Sequence, residues 1–316
     1  MYYYLIRIFV RGLSYIPASI GSFLGRFAGI ILFRFLKRRK RIAMDNIQSS
    51  LRHCLGRPDI ARLNRKVFLH FGQVFFEVPH IFKLKPENLD RYVNFKGEEH
   101  LIQAKKKGKG VLMLTAHFGN WELMAAAVTL RFGPAAAVAR PFRFPAFNRF
   151  MLEMRSQFGM EIIPKQNGMR RIFTALNENK IVGILLDQNV DWYQGEFITF
   201  LGQTACVNKG LAQIALKSEA PVIPVFSVKH KNGRYNISFG EEVKLIKTGD
   251  KTKDIGENTA LYTRIIEKQI LEHPEQWFWF HRRWKTRSYT PFPDGNNGQF
   301  LKSDKYLTDH EAIFKK

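Results

Sequence analysis

Apolar and polar positions divide the chain into an N-terminal helical part and a longer part with alternating strands and helices. From about residue 92, short apolar runs alternate with amphipathic stretches, which is the pattern of βαβ units. Strands are predicted at 110–116, 135–140, 161–164, 181–187, 197–202, 221–229 and 234–240. Helices are predicted at 120–131, 146–158, 168–179, 208–219 and 257–273. This order predicts an α/β fold with an open mixed β-sheet flanked by helices on both faces.

The N-terminal segment is apolar and aromatic, and a basic cluster follows it. Its longest uncharged piece runs from Gly12 to Gly25. A spanning helix needs about 20 apolar residues, so no transmembrane helix is predicted. The cluster Lys37–Arg41 favours an interfacial membrane anchor on a cytoplasmic leaflet, and its position after the apolar part argues against a signal peptide. A buried helix followed by a solvated charge run is the alternative.

Three regions are predicted along the chain. Residues 1–41 are expected to form an apolar and basic membrane-associating helix, residues 42–290 the α/β domain, and residues 291–316 a polar, flexible tail. Residues 42–90 are expected to be helical. Their densest apolar run, 67–82, fits a membrane-facing or groove-lining element and a core helix equally well.

The charge balance predicts an anionic partner. The chain has 50 Lys and Arg residues against 27 acidic residues, a net charge of +23. Nucleic acid, anionic lipid, phosphorylated substrates and acidic carrier proteins all remain possible on charge alone. The two cysteines are far apart in sequence and no metal-ligand or nucleotide-binding motif is present, so neither a metal nor another cofactor is expected.

The segment VLMLTAHFGNWEL contains the strongest signal for chemistry. The apolar run 111–116 ends at His117, and Asn120 is a good N-cap for a helix that starts at Trp121. His117 is therefore expected at the carboxyl edge of the sheet, where open α/β sheets bind ligands. Glu122, in the first helical turn, is expected to hydrogen-bond one imidazole nitrogen and leave the other as a base. The structural alternative is that Glu122 only interacts favourably with the positive end of the helix dipole.

The motif HFGNWE resembles the HxxxxD/E signature of the lysophospholipid acyltransferase superfamily. The longer string AHFGNWEL is similar to the branch that adds secondary acyl chains to lipid A, the lauroyl/myristoyl type, which tends to have Glu at the acidic position. The resemblance implies acyl transfer from a thioester to a hydroxyl, with His117 as general base and Glu122 orienting it.

Further motifs extend the resemblance. Arg140 matches an Arg that the family has near the end of the second predicted strand. Arg155, Ser156 and Gly159 match the RSxxG-like motif of the family's next helix. A DQ pair, Asp187 and Gln188, follows the strand predicted at 181–187. The substrate-binding residues implied are Asn120, Arg140, Asn148, Arg155, Asp187 and Gln188. The structural alternatives are a solvated helix face for an Arg and a turn cap for Asp187.

The last motif lies in residues 272–287, EHPEQWFWFHRRWKTR, and is similar to a PEQ-W-x-x-H-R-W-K pattern of the family. Its tryptophans and cations suit a lipid–phosphate boundary or stacking on nucleic acid, and packing of the Trp rings on the sheet is the alternative. The chain departs from the family at Val207, where a Thr is usual.

Together these features predict an O-acyltransferase on the cytoplasmic face of the inner membrane. The resemblance implies acyl carrier protein or acyl-CoA as donor and a lipid A precursor as acceptor. Another glycolipid, such as a phosphatidylinositol mannoside or an ornithine-type lipid, is the rival acceptor. A membrane-bound nucleic-acid-binding protein is a rival of another class, but it does not need the His–Glu motif, so no nucleic acid partner is expected.

Overall fold

A seven-stranded mixed sheet flanked by helices dominates the computed structural model of the protein, which describes residues 1–288. The strands are β1 Val93–Lys96, β2 Val111–Thr115, β3 Ala135–Ala139, β4 Glu161–Pro164, β5 Ile181–Leu185, β6 Gly195–Phe200, β7 Gln203–Asn208, β8 Val222–Lys229 and β9 Tyr235–Phe239. The helices are α1 Tyr2–Leu13, α2 Ala18–Phe35, α3 Lys37–Leu51, α4 Arg57–Glu77, α5 Glu98–Lys106, α6 Trp121–Phe132, α7 Pro145–Ser156, α8 Met169–Asn177, α9 Gly210–Ser218 and α10 Lys251–Glu272. The predicted fold class is confirmed. The tail predicted at 291–316 lies outside the described residues.

The sheet has the strand order β1-β9-β8-β2-β5-β3-β4. Neighbouring strands pair in parallel, except that β8 and β9 are antiparallel. The carboxyl ends of β2, β5, β3 and β4 therefore lie side by side at one edge of the sheet. Strands β6 and β7 form a separate antiparallel hairpin, so the strand predicted at 197–202 does not belong to the main sheet.

The central strand β2 explains why the sheet is covered on both faces. All of its residues are buried, and successive residues alternate between two hydrophobic clusters. Leu112 and Leu114 belong to one cluster, and Val111 and Met113 belong to the other. A strand that is buried on both faces appears in the sequence as a continuous apolar run, and for this reason the apolar pattern predicted β2.

Several elements were missed or misplaced by the sequence pattern. Strands β1 and β7 and helix α5 were not predicted. Helix α9 begins at Gly210 rather than 208, because Asn208 still pairs with Gly195 in the hairpin. Helix α10 begins at Lys251, since the Asp250 side chain accepts hydrogen bonds from two amides of the first turn.

The N-terminal region contains three helices rather than the single anchor expected over residues 1–41. Helix α3 runs continuously across residue 41. Helix α2 buries Gly21, Gly25 and Gly29, and it packs closely on α4. A Cβ atom at Gly72 of α4 would lie 2.2 Å from the carbonyl oxygen of Gly25. Small residues at the contact therefore allow the two helix backbones to approach closely.

Helix α2 also presents an apolar face to the outside. Phe23 and Phe27 are 71% and 57% exposed. The helix has 18 residues with a mean hydropathy of 1.3, which makes it long and apolar enough to cross a membrane by length and composition. Length and composition do not show that α2 crosses a membrane, so the expectation of an interfacial anchor stays a prediction. In the run 67–82, Val67, Phe68 and Val74 are buried, so much of that run belongs to the core.

Candidate active site

His117 and Asp187 meet at the carboxyl edge of the sheet. They follow the adjacent parallel strands β2 and β5, in which Thr115 is the register partner of Leu185. The Nδ1 atom of His117 lies 2.8 Å from Oδ1 of Asp187. The backbone N–H of His117 donates to Oδ2 of the same carboxylate at 3.0 Å. Two hydrogen bonds therefore fix the imidazole relative to the aspartate.

The Asp187 carboxylate is buried but well satisfied. Its Oδ2 atom also accepts a hydrogen bond from the indole Nε1 of Trp277 at 2.7 Å. Burial alone would raise the pKa of Asp187, but the facing His117 and the hydrogen bonds from His117 and Trp277 lower that pKa below its ordinary value. An ionised carboxylate accepts a hydrogen bond from the Nδ1–H group, so the proton stays on Nδ1 and Nε2 of His117 is left as the basic nitrogen.

Gln188 occupies the position next to this basic nitrogen. Its side-chain Nε2 lies 3.1 Å from Nε2 of His117, so the amide donates to the imidazole lone pair. The His117 side chain is 22% exposed, whereas that of Asp187 is 2% exposed. The imidazole is therefore the more accessible member of the pair, and a hydroxyl group that replaced the Gln188 amide would lie next to Nε2.

Glu122 does not contact the imidazole in this arrangement. Its carboxylate accepts two hydrogen bonds from Arg155, at 2.9 Å from Nε and 2.5 Å from Nη2, and a third from the indole of Trp121 at 3.2 Å. The prediction that Glu122 hydrogen-bonds His117 is therefore wrong. The reason is that α7 places a guanidinium beside the first turn of α6, where a bidentate ion pair outcompetes the imidazole.

The two asparagines predicted to bind substrate have structural partners. Asn120 is completely buried and caps α6 by accepting from the amide of Leu123 at 3.0 Å, which gives it a structural role, and its substrate contact stays a prediction. Asn148 accepts from the amide of Phe142 at 2.9 Å and thereby fixes the loop after β3. Arg140 is exposed at the end of β3, on the edge that carries His117, and its substrate contact stays a prediction.

A C-terminal segment, which the sequence did not link to the His117–Asp187 dyad, holds the turn between β2 and α6 in place. The carbonyl of Gln276 accepts from the amide of Gly119 at 2.9 Å, and the amide of Phe278 donates to the carbonyl of His117 at 3.0 Å. Trp277 and Trp279 are buried at 2% and 0% exposure. The alternative that Trp rings pack on the sheet is therefore confirmed for these two, which share a hydrophobic cluster with Leu112 and Leu114 of β2, and they are not exposed for stacking on nucleic acid.

Position 119 requires a glycine, both for its backbone conformation and for the close approach of a neighbouring strand. Its φ angle is +56°, and a Cβ atom there would lie 1.8 Å from the carbonyl oxygen of Ser227. An L side chain fits neither condition. The glycine of the HFGN sequence therefore allows the turn between β2 and α6 to pack against β8.

Aromatic rings form one wall beside the imidazole and continue toward α2. The Phe278 ring lies 6.3 Å from the His117 ring and 5.2 Å from the Phe280 ring. Phe280 packs on Phe68 of α4 at 4.7 Å, and Phe68 packs on Phe33 of α2 at 5.3 Å. The base is therefore connected to the exposed apolar helix by an unbroken series of ring contacts.

Comparison with known proteins gives one family and several relatives. The family model described as bacterial lipid A biosynthesis acyltransferase matches residues 1–286. A lipid A biosynthesis acyltransferase of Haemophilus influenzae is 25% identical over 88% of this chain and 86% of its own length. A lipid A biosynthesis palmitoleoyltransferase of Escherichia coli is 24% identical over 86% of this chain and 87% of its own. A phosphatidylinositol mannoside acyltransferase of Mycolicibacterium smegmatis is 22% identical over 76% and 79%.

Proposed function

The chain belongs to the bacterial lipid A biosynthesis acyltransferase family, and from that premise we propose that it transfers a fatty acyl chain from a thioester donor to a hydroxyl of a lipid A precursor. Membership makes the protein an acyltransferase of glycolipid biosynthesis. The donor, the acceptor and the catalytic residues are the proposal. The observation that carries it is the His117–Asp187 pair, in which the carboxylate holds Nδ1 of the imidazole and the side-chain amide of Gln188 lies against Nε2.

The acyl transfer proceeds by direct attack. Nε2 of His117 takes the proton of the acceptor hydroxyl as its oxygen attacks the thioester carbonyl, and the Asp187 carboxylate stabilises the imidazolium that forms. The C–S bond then breaks, and the leaving thiolate takes the proton back from the imidazolium. Cys206 is a poor candidate for an acyl-enzyme, because burial raises the pKa of its thiol and its sulfur contacts the carbonyl of Asp191 at 3.8 Å.

Two further contacts support this mechanism. The Gln188 amide occupies the place that the attacking hydroxyl needs, and once displaced it is a candidate donor to the developing oxyanion. The Glu122–Arg155 ion pair ties α6, which begins just after the turn that contains His117, to α7. Glu122 then acts as a positioning residue and not as the partner of the base.

Membrane association follows from the exposed apolar faces of α1 and α2. Large apolar side chains on these helices are exposed, and they include Leu5, Ile8, Phe9, Phe23, Phe27 and Phe35. The basic residues at the start of α3 lie directly beside this surface. Such a surface suits a membrane with anionic lipids, and we assign it to the cytoplasmic face of the inner membrane. Acyl chains would reach His117 along the aromatic wall.

A second acceptor class is favoured by the range of relatives. The phosphatidylinositol mannoside acyltransferase among the relatives has an identity to this chain close to that of the lipid A enzymes. The chemistry at the base is the same for any acceptor with a free hydroxyl near its head group. A mannosylated phosphatidylinositol is therefore the acceptor to compare with the lipid A precursor.

The test uses the purified full chain in mixed micelles and mass spectrometry of the products. The acceptors are a tetra-acylated glucosamine disaccharide bisphosphate and a phosphatidylinositol mannoside, each with acyl carrier protein and CoA thioesters of several lengths. We expect the disaccharide to gain one acyl chain, and a folded His117→Gln variant to be nearly inactive. Acylation of the mannoside alone would contradict the lipid A assignment and leave acyl transfer intact.

A further inference from the structure

Two cations lie side by side at the carboxyl ends of β3 and β4. These strands are parallel, and Ala139 is the register partner of Pro164. Arg140 and Lys165 are the residues that follow them, and the amide of Lys165 donates to the carbonyl of Ala139 at 3.1 Å. The pairing of the strands therefore continues far enough to hold the two cationic residues next to each other.

No carboxylate neutralises this pair by direct contact. Within residues 1–288, neither Arg140 nor Lys165 forms an ion pair within 4.0 Å. Asp191 attracts Lys165 from a greater distance, and its carboxylate accepts from the Tyr193 hydroxyl at 3.5 Å. Burial and the neighbouring Arg140 lower the pKa of Lys165. Like charges held together and partly removed from water are unfavourable, and a bound anion would relieve the repulsion.

The pair lies on the edge of the sheet that carries the dyad. Adjacent strands are about 4.8 Å apart, so the end of β3 lies about 10 Å from the end of β2, and the end of β4 about 14 Å. Burial lowers the pKa of the His281 imidazole, and the positive charge of Arg140 is close enough to lower that pKa further. Nε2 of His281 in turn accepts a hydrogen bond from the backbone amide of Asn189, the residue after Gln188. The cations and the catalytic pair therefore border one continuous surface.

We propose that Arg140 and Lys165 form a phosphate subsite that holds the substrate while the reacting hydroxyl lies at His117. The proposal rests on the proposed function, and it adds Lys165 and the chemical group that the pair binds. A guanidinium offers a bidentate fork and an ammonium a compact charge, and both suit phosphate oxygens.

The spacing fits the acceptor. In a phosphorylated, acylated glucosamine, a hydroxyl on a primary acyl chain is roughly eight bonds from the phosphate of the same sugar, about 10 Å when extended. That span matches the separation of the strand ends that carry His117 and Arg140. The donor is the second possible source of the phosphate, through the phosphopantetheine arm of a carrier protein or the nucleotide of CoA.

The kinetic test compares two double variants of the full chain. Arg140→Ala/Lys165→Ala removes the pair. Lys106→Ala/Lys244→Ala removes two exposed cations near the opposite edge of the sheet, so it matches the change in charge. We expect the first variant to raise KM for the bisphosphorylated disaccharide about 30- to 100-fold with kcat changed less than about twofold, since charge-assisted hydrogen bonds to phosphate are lost. The control variant should match wild type.

The sources of phosphate are separated by changing one substrate at a time. With an acceptor from which both phosphates have been removed, the loss in the pair variant should disappear if the acceptor supplies the phosphate. If the loss persists there but disappears with an acyl-pantetheine donor that has no phosphate, the subsite belongs to the donor. Equal KM values for the pair variant and wild type with every substrate would overturn the proposal.

A binding measurement tests the phosphate subsite independently of the proposed reaction. Binding of the bisphosphorylated disaccharide to the full chain in micelles, without donor, should be at least about tenfold weaker in the pair variant than in the control. Lack of turnover by wild type would defeat the lipid A reaction, whereas equal binding by both variants would contradict an acceptor subsite.

Discussion

The Asp187 carboxylate hydrogen-bonds both the imidazole Nδ1 and the backbone amide of His117, at 2.8 and 3.0 Å. One side chain therefore sets the tautomer of the base and the position of its backbone. Trp277 donates to the same carboxylate, so the C-terminal segment also contributes to this geometry. Three parts of the chain that are distant in sequence converge on the dyad, and substitutions in each should affect catalysis in distinguishable ways.

Gly119→Ala should disrupt the turn between β2 and α6. The added Cβ would meet the Ser227 carbonyl oxygen at 1.8 Å, and the φ angle of +56° is unfavourable for Ala. We expect a loss of more than about 3 kcal/mol in the free energy of unfolding, measured by denaturant titration, and nearly complete loss of activity. Gly108→Ala is the control, because Gly108 has a φ of +68° but open space around it. Its cost should stay near 1 kcal/mol, about the strain of the backbone angle.

Glu122 and Arg155 should behave as a coupled pair in stability. Both side chains are largely buried, at 11% and 17% exposure, so removing one leaves the other charge without a partner. Glu122→Gln or Arg155→Met alone should cost about 3 kcal/mol in the free energy of unfolding. The double variant should cost clearly less than the sum. Strict additivity in a double-mutant cycle would show that the ion pair does not hold α6 to α7.

Acidification should destabilise the protein through His70. Burial, followed by the nearby Lys229, lowers the pKa of His70 from 6.5 to about 3. Below pH 6.5 the unfolded chain therefore binds a proton that the folded chain does not, and stability falls by roughly 1.4 kcal/mol for each pH unit from this group. His70→Asn should reduce that slope between pH 6 and 4, measured by denaturant titration at each pH. An unchanged slope would mean that His70 protonates in the folded protein.

The basic start of α3 should supply the salt-sensitive part of membrane binding. Arg39 donates to the carbonyl of Phe280 and Lys40 lies over the Phe33 ring, so these two cations have structural contacts. Replacing the exposed residues Lys37, Arg38 and Arg41 with Gln should weaken binding to anionic vesicles by about 1 kcal/mol each. Sedimentation at low and high salt should show that the remaining binding depends little on salt, since apolar insertion is not screened.

A control triple variant, Lys106→Gln/Lys231→Gln/Lys244→Gln, removes the same charge elsewhere on the surface. It should sediment with vesicles as wild type does at both salt concentrations. If it lost as much binding as the α3 variant, net charge rather than the α3 cluster would govern the interaction with the membrane.

The sequence predicted the fold well where apolar runs were continuous, as in β2 and β5, because fully buried parallel strands have no polar alternation to obscure them. It placed His117 at the sheet edge for the same reason. It assigned the wrong partner, because Glu122 is near His117 in sequence whereas Asp187 becomes its neighbour only when β2 and β5 pair. Spacing along the chain does not indicate which carboxylate will form an ion pair with a distant guanidinium, and here Arg155 pairs with Glu122.

The N-terminal helices were also difficult to predict from apolar runs alone. The informative signal in this region is the spacing of Gly21, Gly25 and Gly29, four residues apart, which indicates a helix face that allows close packing. The contribution of Trp277 to the site could not be predicted, because nothing local to residues 272–287 indicates that an indole will donate to Asp187.

The most direct test of the account is a double-mutant cycle in kcat with His117→Gln, Asp187→Asn and the double variant, measured with the thioester donor and the bisphosphorylated disaccharide. If Asp187 acts through His117, each single variant should lose about 10³- to 10⁴-fold and the double variant little more, as for residues that work as one unit. Folding is checked for each by circular dichroism. Near-wild-type turnover by Asp187→Asn, or losses that multiply in the double variant, would contradict the His117–Asp187 dyad.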